Sequence, residues 1–165
     1  MTRARGDLVL YQSSGRWYER MIALATKGPF IHVAIVVDPL TVIAARTRVG
    51  ISYERIPPED ALHATIPLAG RTTPAGIEQG LTWACAQRGK AYGWPDIVYQ
   101  ALKFLWPDNP FRFGVAGHYD CSDFATRYMI HAGVSLPDAM LDTYTVSPND
   151  LARWSGLLPE KDGSS

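Results

Sequence analysis

Apolar and polar positions alternate along this chain in two rhythms, one with the period of strands and one with the period of helices. GDLVLY, Gly6 to Tyr11, is a compact apolar run that reads as a first strand. After Ser13, Ser14 and Gly15, the residues Trp17, Met21, Leu24 and Ala25 recur at helical spacing, and Lys27, Gly28 and Pro29 end that helix. FIHVAIVV, from Phe30, is rich in β-branched residues and meets VIAART across Asp38-Pro39-Leu40-Thr41, which predicts an antiparallel hairpin. A further strand is expected over Gly50 to Ile56 and another around His63 to Leu68.

The second half of the chain is helical in pattern. Thr73 and Pro74 supply a cap and a first-turn proline for a helix through about Gln87, with Ile77, Leu81, Ala84 and Cys85 as its apolar face. A helix from near Pro95 buries Ile97, Val98, Ala101, Leu102 and Leu105 and stops by Pro107, and an irregular segment follows to His118. Within it, Trp106 to Val115, with Phe111 and Phe113, either fills the core or lines a groove. DCSDFATRYMIHAG then predicts a helix with Asp120 as cap, Cys121 in its first turn and Gly133 as terminator. Ser147-Pro148-Asn149-Asp150 marks the start of a last helix.

At 165 residues and 47% apolar, the chain suits one domain with a proper core, expected over residues 1–158, with 159–165 as a flexible tail. Formal charge is zero and the basic residues are scattered, which argues against a nucleic-acid partner. The longest apolar stretch, Phe30 to Ala45, is broken by His32, Asp38 and Pro39, so no transmembrane segment is expected. MTRARGDLVLY lacks the apolar core and cleavage site of a signal peptide, and the expected location is cytoplasmic or phage-delivered. Two cysteines make a disulfide framework unnecessary, and both are expected as thiols.

The chemistry-bearing candidates are few. Cys121 faces the unpaired N–H groups of a helix N-terminus, which favour thiolate, and it reads either as a nucleophile or as a small packed residue. Cys85, on an apolar helical stripe, reads as packing. His32 lies in an apolar strand, on the same face as Phe30, Ala34 and Val36 by alternation, and is either a base or a core histidine bonded to a carbonyl. His118 is its rival by proximity to Cys121; His63 and His131 are weaker candidates. No H-E-x-x-H, Gly-rich phosphate loop, paired-cysteine pattern or G-x-S-x-G elbow is present, so neither metal nor cofactor is expected.

YDCSDF, Tyr119 to Phe124, resembles the D-C-S-G-F nucleophile segment of NlpC-type papain-fold enzymes, and FIHVAIVV resembles their H-V-G-I-Y histidine strand. Here the histidine precedes the cysteine. That order, with the opening GDLVLY strand, is similar to the circularly permuted branch that includes YiiX-like proteins and the lecithin:retinol acyltransferase group. The resemblance implies an α+β, circularly permuted papain-like fold, an antiparallel sheet packed against helices. It implies a cysteine hydrolase with Cys121 as nucleophile and His32 as base, cleaving an amide bond, foremost in peptidoglycan-type peptides of the cell wall. A thioesterase or acyl-transferase on lipid-like substrates, and a non-catalytic binding module, are the alternatives. Asp120 and Tyr92 match the residues that bind the peptide stem in wall-cleaving members; Asp120 reads equally as a helix cap and Tyr92 as a packed aromatic. Counting along an equal-length hairpin puts Ala44 where the family has the polar residue that orients the imidazole, so the third member is unassigned; Asp38, Arg46, Thr47 and Glu54 are nearby in sequence without the matching position, and a backbone carbonyl or water serves as the alternative. Asp123 replaces the family glycine, where its charge either opposes the thiolate or selects a cationic substrate.

Overall fold

The computed structural model describes residues 3–12, 28–47, 49–56, 63–91 and 119–160. The expected helices around Trp17 and from Pro95, the 106–115 segment, Tyr92, His118 and the tail beyond 160 lie outside them.

The described residues form an α+β structure. Strands β1 (Leu8–Gln12), β2 (Phe30–Asp38), β3 (Thr41–Arg46), β4 (Gly50–Arg55) and β5 (His63–Ile66) make one antiparallel sheet in the order β4-β3-β2-β1-β5. Three helices accompany it: α1 (Pro74–Ala86), α2 (Cys121–His131) and α3 (Pro148–Trp154). Among the described residues no helix is long and apolar enough to cross a membrane.

The helices start where the sequence places their caps. Thr73 Oγ1 accepts the Gly76 N–H at 3.0 Å, and Ser147 with Asp150 forms a reciprocal capping box. Gly133, at φ +70°, ends α2 with the Val134 N–H returning to the Met129 carbonyl at 3.0 Å.

The central strands are buried on both faces. Leu8, Leu10, Val33, Ile35, Ile43 and Ile51 pack with Leu81, Phe124, Tyr128 and Leu151 from the helices. Val9, Ala34, Val36, Val42 and Ala44 form a second cluster, each with no exposed surface. Double burial explains why these strands read as near-continuous apolar runs, each large aliphatic side chain contributing about 1.5–3 kcal/mol.

Two polar anchors hold the layers together. Gly6, at φ +91°, passes so close to the helices that a Cβ there would overlap Ile77 and come within 2.9 Å of the Tyr128 hydroxyl. That hydroxyl donates to the Gly6 carbonyl at 2.8 Å, and the buried Asp7 carboxylate accepts the N–H groups of Ala4 (2.8 Å) and Leu68 (3.1 Å). At the other end of β2, Asn149 of α3 faces Phe30 like an extra strand residue. Its Oδ1 accepts the Phe30 N–H at 3.0 Å and its Nδ2 donates to the Phe30 carbonyl at 2.8 Å.

One expectation about β2 fails here. Tyr11 pairs with His32 but Gln12 pairs with Phe30, so β2 carries one extra residue between these pairs. The bulge sends Phe30 into the helix-side core with Val33, Ile35 and Cys121, while His32 stays with Tyr11 on the other face. Phe30 and His32 therefore do not share a face.

Candidate active site

Cys121 is the first helical residue of α2, placed there by Asp120, whose Oδ1 accepts the Asp123 N–H at 2.7 Å and the Ser122 hydroxyl at 3.0 Å. Asp120 thus acts as the helix cap. The start of α2 meets the sheet at the seam between β2 and β3. Those strands pair at Asp38–Thr41, Val36–Val42 and Ile35–Ile43, and the ladder goes no further toward the start of β2. Val36 bonds toward β1, donating to the Asp7 carbonyl at 2.8 Å, so by alternation the Val33 N–H points into the seam. With the N–H groups of Cys121 and Ser122, it favours the thiolate of Cys121.

His32 stands one residue away on the same strand, 8% exposed, with its ring tilted at 48° to Tyr11 and the centroids 5.3 Å apart. Its Nε2 is buried without a hydrogen-bond partner. No hydrogen bond joins it to Cys121.

The hairpin register corrects the position given to Ala44. The turn is tight on Pro39 and Leu40 and the register shifts between Val36 and Asp38. Continuing the Ile35–Ile43 register sets Ala44 level with Ala34, in the second apolar cluster, and Arg46 level with His32. Arg46 makes a two-pronged pair with Glu54, Nε to Oε1 and Nη2 to Oε2, both at 2.7 Å. Its guanidinium lies 5.6 Å from the centre of the Tyr11 ring, and its charge acts on both His32 and Cys121. On the far side Tyr11 pairs with His63, whose Nδ1 is also buried without a partner and whose Nε2 meets Arg3. His63, Tyr11, His32 and Arg46 therefore form a polar row across four strands. Sequence pattern missed this row because it exists only through cross-strand register.

Burial dominates the protonation of both central groups. It pushes the Cys121 thiol up to about 12, with the Asp120 charge adding to the shift and the three N–H groups opposing it. The helix N-terminus, expected to favour thiolate, is outweighed. Burial and then the Arg46 charge press the His32 imidazolium down to about 3. At rest Cys121 is a neutral thiol and His32 a neutral imidazole.

Asp123 is not the carboxylate that acts on Cys121. It turns away, with Oδ1 on Arg127 Nε at 2.7 Å and Oδ2 buried without a partner. His131 is exposed at the end of α2 and stacks on Trp83, centroids 4.5 Å apart. Both cysteines are free thiols. Cys85 is half-buried near Tyr53 of β4, at the margin of the helix's apolar face rather than within it. Iodoacetamide at pH 8 should therefore modify Cys85 at least about tenfold faster than Cys121, read by peptide mass spectrometry over time. Equal rates would mean that Cys121 is not held as a buried thiol.

No protein-family model, no curated protein and no solved structure matches this chain.

Proposed function

We propose that this protein is a cysteine hydrolase on a circularly permuted papain-like, NlpC-type scaffold, cleaving an amide bond in peptidoglycan-type peptides through Cys121 and His32. The observation that carries the reading is the Cys121 sulfur at a helix N-terminus and strand seam, with three N–H groups that favour its thiolate, and a histidine next to Val33 in the chain whose Nε2 lacks a partner.

In this reading the Cys121 sulfur attacks the substrate carbonyl carbon as its proton passes to His32. The C–O double bond opens to an oxyanion held by backbone N–H groups, including that of Cys121. The oxyanion collapses, the C–N bond breaks, and His32 returns the proton to the departing amine. Water attacks the thioester with His32 again as base, releasing the acid and restoring the thiol. Because one cause, burial, raises the thiol and lowers the imidazole, a polar substrate that occupies the seam relaxes both shifts together.

The same two shifts favour a second reading, a papain-fold binding module whose thiol never ionises. The readings separate on acylation. An activated acyl ester should give a thioacyl adduct on Cys121, absent in Cys121→Ser, and His32→Ala should slow its formation at least about a hundredfold. Wall fragments should then release new amines, whereas turnover of long-chain thioesters alone would move the assignment to lipid-like acyl transfer. If Cys121 stays free of acyl groups while Cys85 is acylated, the module reading replaces the enzyme.

A further inference from the structure

The third polar residue of this site is a cation with an unused face. A guanidinium carries five N–H donors arranged as two forks, one from Nε and Nη2 and one from Nη1 and Nη2. Glu54 occupies the first fork of Arg46, with both contacts at 2.7 Å, which fixes the plane of the group. The three donors that remain have no partner among the described residues, and the side chain is 40% exposed. Next to it His32 Nε2 is buried with no partner, and Cys121 lies within reach of the Arg46 charge. A buried nitrogen without a partner and a half-open fork, with the thiol within reach of the fork's charge, mark a place for a ligand's polar atoms.

We infer that the open fork of Arg46 binds a carboxylate of the substrate, so that the Cys121 site selects acyl compounds carrying a free carboxylate close to the bond that is cut. The inference rests on the hydrolase reading and deepens it. A planar carboxylate matches the planar fork with two parallel hydrogen bonds, and Glu54 holds the guanidinium in place for it. A cationic substrate group, which Asp123 suggests in the sequence, has no partner at this position, since Asp123 faces Arg127.

Two thiol reagents that differ by one charge test this on the intact protein. Iodoacetate and iodoacetamide both lose iodide as the Cys121 sulfur forms its bond to carbon, the thiol proton leaving to His32 or solvent. Only iodoacetate presents a carboxylate. At pH 9 the iodoacetate-to-iodoacetamide rate ratio at Cys121 should exceed the ratio in the urea-unfolded chain by about tenfold, the scale of one charge-assisted bidentate contact. Arg46→Gln should return it to the unfolded value, and Arg46→Lys should keep part of it. In the unsubstituted protein, which needs no variant to fold, 1 M salt should also reduce the ratio. A folded-state ratio equal to the unfolded one, with Cys121 reactive, overturns the carboxylate inference and leaves the hydrolase reading standing. Cys121 unreactive toward both reagents for a day overturns both.

Discussion

Asn149→Ala lowers the unfolding free energy by about 4 kcal/mol, a large part of the 5–15 kcal/mol that holds a domain of this size. The effect comes from what the side chain leaves behind. Asn149 is fully buried and satisfies the N–H and the carbonyl of Phe30 at once. Truncation strands two buried backbone groups, each worth about 1–3 kcal/mol, and opens a small cavity. Asn149→Asp keeps the shape but sets a second carboxylate oxygen against the Phe30 carbonyl, where the amide had donated. It should therefore cost more than alanine at pH 7, and less at pH 4, where a protonated carboxyl can donate again. Urea melts of the three proteins measure this, and amide exchange at Phe30 reports whether the head of β2 has come loose. An alanine cost under about 1 kcal/mol would show that the head of β2 is held by other means. The position matters for the site because the bulge that parts Phe30 from His32 begins here.

Asn149 also shows where sequence reading stops. In Ser147-Pro148-Asn149-Asp150 it is one letter of a capping motif, and the cap is local: Ser147 and Asp150 find each other three residues apart. Thr73, Asp120, Gly133 and the apolar runs of β2 and β3 are legible for the same reason, since each depends on neighbours within one turn or one strand. What Asn149 does across the fold has no local signature. The register that, continued past the ladder, sets Arg46 rather than Ala44 level with His32 comes from a shift at a tight turn, and a miscount of two residues keeps the face but changes the neighbour. At Cys121 burial outweighs the helix N-terminus for a related reason. The helix N-terminus is a first-turn effect visible in DCSDF, while the opposing desolvation comes from the β2–β3 seam closing around the sulfur. Asp123 likewise looks adjacent to the nucleophile in sequence, yet two residues of helix turn it about 200° away, toward Arg127.

His32 should make the protein acid-sensitive in a way that a single substitution removes. Its imidazole titrates near 6.5 when the chain is unfolded and near 3 in the folded protein, because burial first and the Arg46 charge second disfavour the cation. Between those values the unfolded state binds a proton that the folded state refuses. Stability therefore rises with pH across this window, and its His32 contribution is fully present above about pH 6.5 and lost as pH falls toward 3. The slope approaches about 1.4 kcal/mol per pH unit, on the order of 4 kcal/mol across the window. His32→Phe has nothing to titrate, so the stability difference between the two proteins should tilt with pH by that amount, favouring the phenylalanine variant progressively below pH 6. Asp38 and Glu78, whose carboxyls are held low by hydrogen bonds to the Leu40 backbone and to Arg5, lose their contributions in acid too. They do so in both proteins and cancel in the difference. Thermal or urea unfolding at half-unit steps from pH 7 to pH 4 measures the tilt, and a pH-independent difference would show His32 in contact with water. That outcome would bear on catalysis as well. A hydrated His32 could hold the Cys121 proton before any substrate arrives, whereas a buried neutral ring accepts it only once the substrate has changed the site around it.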